Sequence, residues 1–170
     1  ENITVHTLTL KRASNIVVEH RAADYADVAA YSKAMADALK EEQADLVIYA
    51  GFMTILDEQV CDAFRYKMIN VHPALIPSFC GKGYYGLHVH EEALKKGVKV
   101  TGATVHFVTA ECDAGPIILQ KAVEVRNGDT PEILQKRVME QAEWKILPRA
   151  ARLFCEGKIT VKDGITVIDD

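Results

Sequence analysis

The chain has 170 residues, of which 49% are hydrophobic and 26% charged, and its formal net charge is −4. These values fit one globular domain with a sizeable core, so we treat residues 1–170 as a single domain. The negative charge offers no basic surface to nucleic acid, and no apolar run approaches the roughly 20 residues of a membrane span. We therefore expect neither a nucleic-acid partner nor a membrane partner.

Cysteine usage and the first residues indicate the compartment. Four cysteines are widely spaced and form no CxxC pair, which argues against a zinc site: Cys61, Cys80, Cys112 and Cys155. Free thiols are typical of a reducing cytoplasm. The opening segment, Glu1-Asn-Ile-Thr, lacks the basic start and apolar centre of a signal peptide. We expect a cytoplasmic protein without a bound metal.

Strands and helices alternate in the first half of the chain. Apolar periodicity predicts a strand over 3–10, a helix over 24–42, a strand over 46–50, a helix over 57–66 and a strand over 67–71. Asp24 or Asp27 is a suitable cap for the first helix, and Asp57 for the second. A helix between two apolar strands is the βαβ pattern of a parallel sheet. The pattern predicts an α/β fold with an open, mostly parallel sheet and flanking helices.

The second half begins with a glycine-rich loop. The predicted elements after it are a helix over 87–96 ending at Gly97, strands over 98–109 and 117–125, a helix over 131–156, and a hairpin of 158–161 with 165–168. The two strands are close enough in sequence to form an antiparallel pair. Pro148 should kink or interrupt the last helix, because proline cannot donate the internal hydrogen bond.

Asn70 and His72 are the first candidates for chemistry. They are two residues apart where an apolar strand ends, so their side chains should lie on one side of it. Pro73 and Pro77 then force the chain out of the sheet as a stiff loop. Ligands of open α/β sheets bind at such strand ends, which predicts an active site here. A buried structural histidine is the alternative for His72.

Asp113 is the predicted partner of His72. It lies in a tight loop bounded by glycine and proline between two apolar strands, a costly place for an ionised carboxylate without a role. The alternative is a turn aspartate bonded to its own backbone. A carboxylate beside His72 would hold one imidazole tautomer and raise its pKa. With the amide of Asn70, the imidazolium would stabilise an oxyanion, which indicates acid–base chemistry on a carbonyl.

Other candidates carry weaker signals. His88 and His90 are two apart on a predicted helix, a spacing that does not present two ligands to one metal, so we interpret them as surface or substrate-rim histidines. Cys80 lies near the site but has no obvious local base. The glycines of 81–86 could cradle a phosphate, although a mobile loop at the mouth of the site fits the spacing better.

Three segments resemble one known family. Ile69-Asn-Val-His-Pro-Ala-Leu-Ile-Pro77, Gly102-Ala-Thr-Val-His-Phe-Val-Thr109 and Cys112-Asp-Ala-Gly-Pro-Ile-Ile-Leu-Gln120 resemble the folate-dependent phosphoribosylglycinamide formyltransferases, as does Ala50-Gly-Phe-Met-Thr-Ile-Leu56. The resemblance implies a Rossmann-like formyltransferase fold. It also implies transfer of the formyl group of 10-formyltetrahydrofolate to the amine of glycinamide ribonucleotide in purine synthesis, without a metal.

The resemblance also implies residue roles. Its catalytic residues match Asn70, His72 and Asp113. Residues that receive formyl-folate match Met53, Thr54, Ile55, Leu56, Asn70, Ala110, Glu111 and Cys112. Glu143 matches an acidic residue that meets the ribonucleotide substrate, and Thr104 and His106 match a supporting strand. The family works as a monomer or a homodimer, and we expect the same of this chain.

Two features depart from the family pattern. Thr54 occupies a position where many relatives carry arginine. Family members also begin with a strand and a phosphate-binding loop that do not precede Ile3, so we expect an N-terminally truncated domain.

Three other functions stay open. Formyltetrahydrofolate deformylase is one alternative, although we expect histidine there in place of Pro73. Methionyl-tRNA formyltransferase would need a basic C-terminal domain, whereas residues 163–170 are acidic. A folate-binding module without turnover is the third.

Overall fold

The computed structural model describes residues 26–51 and 56–169. Its elements in chain order are α1 (Val28–Glu41), β1 (Val47–Ala50), α2 (Glu58–Ala63), β2 (Met68–His72), α3 (Leu87–Lys96), β3 (Val100–Phe107), β4 (Ile117–Glu124), α4 (Pro131–Val138), a π-helical turn (Met139–Glu143), α5 (Trp144–Cys155), β5 (Ile159–Lys162) and β6 (Ile165–Ile168). The strand predicted over 3–10 lies outside the described residues.

Strands β1 to β4 form one sheet in the order β1-β2-β3-β4, and β5 and β6 form the predicted hairpin. The β1–α2–β2 unit is parallel, as predicted, and β3 and β4 are the predicted antiparallel pair. Because β2 and β3 are also antiparallel, the described sheet is mixed and the expectation of a mostly parallel sheet is corrected. The predicted α/β class with flanking helices is confirmed.

Helix ends follow the sequence signals. The Asp27 carboxylate accepts a hydrogen bond from Ala30 N–H at 2.8 Å and caps α1, and Asp57 caps α2 through Gln59 N–H at 2.7 Å. A left-handed glycine at Gly97 ends α3. No helix in 26–51 or 56–169 has the length and apolar character needed to cross a membrane.

The long helix predicted over 131–156 is interrupted earlier than expected. Thr130 caps α4 and Pro131 is its first residue, as the sequence indicates. The interruption is the π-helical turn Met139–Glu143, whereas Pro148 lies inside α5. Proline cannot donate to the carbonyl four residues before it, that of Trp144, and the change in helical register ends at this residue.

The core lies on both sides of the sheet. Ile69 and Val71 of β2 point into the larger cluster, where they pack with Val105 of β3 and with Leu134 and Val138 of α4. The even-numbered residues of β2 point the other way, because strand side chains alternate. Asn70 and His72 are therefore presented on the opposite face, and the site is built there.

Candidate active site

Asn70 and His106 face each other across β2 and β3. The side-chain amide nitrogen of Asn70 lies 3.3 Å from Nε2 of His106, and Nδ1 of His106 lies 2.9 Å from the Phe107 carbonyl oxygen. A carbonyl oxygen only accepts, so Nδ1 donates to Phe107, and Nε2 faces the amide of Asn70. His106 thus orients the amide of Asn70.

His72, the last residue of β2, is 4% exposed. Its Nε2 lies 2.8 Å from the Phe79 carbonyl oxygen and its Nδ1 lies 3.5 Å from an Asp113 carboxylate oxygen. Both ring nitrogens therefore face acceptors, an arrangement that only the imidazolium satisfies with two N–H groups. Burial lowers the pKa of His72, against the opposing effects of the Asp113 carboxylate and the Phe79 carbonyl. Asp113 acts in the predicted direction, but burial outweighs it.

The Asp113 carboxylate bridges two histidines. One oxygen faces His72 and accepts from Gly81 N–H at 2.8 Å, and the other lies 3.6 Å from Nε2 of His106. Burial raises the pKa of Asp113, but the His106 ring, the Gly81 N–H and the charge of His72 together lower it to about 2. The residue has φ +56°, a left-handed conformation rare outside glycine. The backbone is held in a strained form that points this carboxylate at the histidines.

Thr104 supports the chain as it leaves β2. Its hydroxyl donates to the Ala74 carbonyl at 2.7 Å and accepts from Ile76 N–H at 3.1 Å. The side chain is fully buried and lies opposite His72 in the strand register. The loop that begins at Pro73 is therefore attached to β3 immediately beside the site.

A cleft of about 800 Å³ lies next to the Asp113 loop. Its walls are α2, the segment 108–117 and the tip of the β5–β6 hairpin. Ala110 and Glu111, two predicted folate contacts, line this cleft, and Leu56 is buried in the apolar cluster that also contains Cys61 of its wall. Cys112 is half-buried in the same loop but is not part of the lining. Met53, Thr54 and Ile55 lie outside the described residues.

Glu143, the predicted substrate contact, occupies a different cavity. It is the last residue of the π-helical turn, and the cavity of about 500 Å³ is also lined by Ala50 and Gly51 after β1 and by Val71 of β2. Burial raises the pKa of the Glu143 carboxyl. Asn70, His72 and Asp113 are not among the described residues that line this cavity.

The weaker candidates are resolved differently. His88 is exposed, with Nδ1 3.2 Å from Glu91, whereas His90 is 1% exposed and its interpretation as a rim histidine is wrong. The helical turn of α3 places position 90 against the protein rather than outside. Burial, aided by Asp113, raises the pKa of the Cys80 thiol, which disfavours a thiolate nucleophile. Across the described ranges, no three His, Cys, Asp or Glu side chains are grouped to hold a metal.

Two groups that contact the site have no sequence signature. The Phe79 carbonyl and the Gly81 N–H are backbone atoms of the loop that the sequence describes only as glycine-rich. Every residue carries such groups, so residue type cannot reveal them. Positive φ at Phe79, +50°, is the structural sign that this loop is held in a defined shape.

Comparisons with known proteins agree on one family. The family model described as formyl transferase matches residues 2–151. The trifunctional purine biosynthetic protein adenosine-3 of Bos taurus is 45% identical over 87% of this chain and 14% of its own length. The chloroplastic phosphoribosylglycinamide formyltransferase of Arabidopsis thaliana is 39% identical over 80% of this chain and 47% of its own. The chain thus spans less than half the length of these relatives.

Solved structures show the same fold. Glycinamide ribonucleotide transformylase 1 from Symbiobacterium toebii matches with a TM-score of 0.80 and 42% identity, over 87% of this chain and 67% of that one. A formyltetrahydrofolate deformylase from Pseudomonas syringae matches with a TM-score of 0.70 and 33% identity, over 82% and 45%. Because the family model covers most of its residues, the chain belongs to the formyl transferase family.

Proposed function

We propose that the protein containing this chain transfers the formyl group of 10-formyltetrahydrofolate to the amine of glycinamide ribonucleotide, in de novo purine synthesis. The observation that carries the proposal is the placement of His72 between the Phe79 carbonyl and the Asp113 carboxylate, beside the amide of Asn70. This arrangement supports a charged, oriented imidazolium next to a second hydrogen-bond donor. Similarity to transformylases supports the choice of acceptor.

The proposed formyl transfer uses the side chains of His72, Asn70 and Asp113. The neutral amine attacks the formyl carbon, and the carbonyl oxygen becomes an oxyanion that His72 and Asn70 stabilise by hydrogen bonds. Asp113, ionised because its pKa is about 2, favours the charged form of His72. A proton passes from the attacking nitrogen to the folate nitrogen as the bond between that nitrogen and the formyl carbon breaks. The products are tetrahydrofolate and the formylated ribonucleotide.

Through the contact between Phe79 and His72, the loop 78–86 has a role in the proposed reaction. In the described arrangement the Phe79 carbonyl accepts the Nε2 proton that the oxyanion needs. We infer that the formyl oxygen replaces this carbonyl when formyl-folate binds. Until then the carbonyl keeps the ring oriented and its proton at Nε2.

The cleft beside the Asp113 loop is the proposed folate site. Its volume of about 800 Å³ suits a ligand of this size, and Ala110 and Glu111 lie in its wall. Met53, Thr54, Ile55, Leu56 and Cys112 complete the proposed folate contacts. Glu143 is the proposed contact of the ribonucleotide, and its half-buried carboxyl suits a partner that carries an amine. No metal has a role in this proposal.

Compartment and assembly are part of the same proposal. We place the protein in the cytoplasm, as a monomer or a homodimer without nucleic-acid or membrane partners. The free cysteines and the net charge of −4 support this placement. Sedimentation equilibrium of the full-length protein at several concentrations would decide between monomer and dimer.

Deformylation is the second candidate, in which water replaces the amine as acceptor. Similarity to a deformylase structure supports this candidate. Against it, Pro73 occupies the position where we expect histidine in that enzyme. Binding of formyl-folate without turnover is the third candidate.

A single assay separates these candidates. Tetrahydrofolate formation from 10-formyltetrahydrofolate is followed by absorbance for the full-length protein, with and without glycinamide ribonucleotide. We expect product only when the ribonucleotide is present. If tetrahydrofolate forms equally fast without the ribonucleotide, the protein is a deformylase. If the protein binds formyl-folate but forms no tetrahydrofolate under either condition, it is a binding module.

A further inference from the structure

Gln120 lies on the same sheet face as the catalytic histidine. In the strand registers His72 is opposite Thr104, and Thr104 is opposite Gln120. Residues directly opposite each other in antiparallel strands project to the same face, so the three side chains form one row across the sheet. The sequence offers no reason to single out Gln120, which is an exposed polar residue on an edge strand of the described sheet.

The amide of Gln120 makes two hydrogen bonds in this row. Its Nε2 donates to the Ile76 carbonyl at 2.9 Å and to the Thr104 hydroxyl at 3.0 Å. The carbonyl of Ile76 only accepts, which fixes the nitrogen, rather than the oxygen, on this side. Both hydrogens of the amide are therefore used, each by a different element of the site.

The Thr104 hydroxyl is saturated by the same arrangement. It donates its single hydrogen to Ala74 and accepts from both Ile76 N–H and Gln120. One donor and two acceptor positions are all that a hydroxyl offers. Without Gln120, a buried lone pair of Thr104 and the carbonyl of Ile76 both lose their partner. Gln120 and Thr104 thus form a clamp on the segment Ala74–Ile76.

The clamped segment leads directly to the group that holds the catalytic ring. It follows Pro73 and continues to Phe79, whose carbonyl accepts from Nε2 of His72. We propose that Gln120 is a positioning residue for the reaction, which fixes the segment Ala74–Ile76 through Thr104 and thereby the orientation of His72. The inference rests on the proposed function for its kinetic consequence only. Gln120 itself contacts neither His72 nor Asp113 among the described hydrogen bonds.

Two variants remove the clamp differently. Gln120→Met keeps the length of the side chain and removes both donors, and Gln120→Asn keeps the amide but is one methylene too short to reach both acceptors. Lys121→Met is the matched control, an exposed neighbour on the same strand that points to the other face. Folding is checked by thermal unfolding, and we expect all three full-length variants to stay folded because the positions are exposed.

Kinetics give the first readout. We expect kcat to fall about tenfold in both Gln120 variants, because small displacements of a catalytic group are costly, with KM for both substrates within twofold. The pH–rate profile should also shift, since the contacts that hold the His72 proton change. Lys121→Met should match the unaltered protein. A purely structural role would lower the unfolding temperature and leave kcat and the profile unchanged, which would overturn the inference.

Imidazole ¹⁵N NMR gives a readout that does not depend on activity. We expect the His72 nitrogen resonances to shift in Gln120→Met and Gln120→Asn and not in Lys121→Met. Unchanged His72 resonances in both Gln120 variants would overturn the clamp. If the full-length protein shows no formyl transfer, the proposed function fails, and the NMR comparison still decides the inference about Gln120.

Discussion

The Nε2 atom of His72 lies 2.8 Å from the carbonyl oxygen of Phe79, and this contact determines which ring nitrogen carries a proton. With Nε2 protonated, Nδ1 is left facing the Asp113 carboxylate at 3.5 Å. A neutral ring would present a lone pair to that negative charge. A proton on Nδ1 removes this repulsion, so Asp113 favours the charged ring, although burial has the larger effect and lowers the pKa of His72 overall.

Removing His72 or Asp113 tests the central pair. We expect His72→Ala and Asp113→Ala each to reduce kcat by about 10²–10³, the usual effect of losing one oxyanion donor or its charge partner. Far-UV circular dichroism should show an intact fold. His88→Ala is the control, since its side chain is exposed and pairs with Glu91 instead. Turnover like that of the unaltered protein in either active-site variant would refute the mechanism.

The Gly81 N–H can be tested against a neighbouring glycine. Gly81 and Gly83 both have positive φ, +87° and +95°, and both have open space where a Cβ would lie. Alanine at either position costs about 1–2 kcal/mol of backbone strain. Gly81 alone of the two donates to Asp113 in the described contacts, so Gly81→Ala should reduce kcat more than Gly83→Ala. Equal kcat values would show that the backbone conformation at Gly81 does not affect catalysis.

Gly115 brings the Asp113 loop close to β3. A Cβ at this position would overlap the Phe107 carbonyl oxygen, which is backbone and cannot rotate away. Gly115→Ala should therefore lower the free energy of unfolding by about 2 kcal/mol and displace Asp113. Urea denaturation measures the first effect and kcat the second. Ala122→Ser, at an exposed position of β4 that does not line the cleft, should leave both quantities unchanged.

His90 should make the protein less stable in mild acid. Burial, followed by the charge of His72, lowers its pKa from 6.5 to about 4, and neither ring nitrogen has a partner in the described residues. Between these pH values the unfolded chain binds a proton that the native chain does not. Stability is therefore complete above pH 6.5 and falls as the pH decreases towards 4, by roughly 3 kcal/mol at the lower limit.

His90→Leu isolates this effect. The variant should show a shallower decrease in the free energy of unfolding between pH 7 and pH 4.5, measured by urea denaturation. His88→Leu is the matched control, because that ring is exposed and already in water. A decrease as steep in His90→Leu as in the unaltered protein would assign the acid sensitivity to other groups.

The ion pair of Arg137 and Asp129 should contribute to the stability of the fold and not to activity. Its two hydrogen bonds of 2.5 and 2.6 Å join α4 to the loop before it, and the Asp129 side chain is 5% exposed. Arg137→Met leaves that carboxylate without its charged partner, with the Arg126 N–H still donating to it, and should cost about 2–3 kcal/mol. Lys33→Met, which breaks an exposed pair with Asp37, should change little. Thermal unfolding of both variants measures the contrast.

Local rules account for much of the fold. Caps at Asp27 and Asp57, the end of α3 at Gly97 and the antiparallel β3–β4 pair depend on hydrogen bonds within a few residues or on short connections. β3 runs antiparallel to β2 although a long connection containing α3 separates the two strands in sequence, and no local pattern specifies that direction. The early interruption at the π-helical turn likewise depends on a change of register upstream of Pro148.

By itself the sequence determined that Asn70 and His72 share one side of a strand end, because period-two alternation is a property of the backbone. The glycine- and proline-bounded loop indicated Asp113 as the third member, and the family resemblance matched the same residue. Only the tertiary structure decided that the Asp113 carboxylate bridges two histidines and that a backbone carbonyl from Phe79 holds the ring. These contacts join residues distant in sequence or use atoms common to every residue, so chain folding alone brings them together.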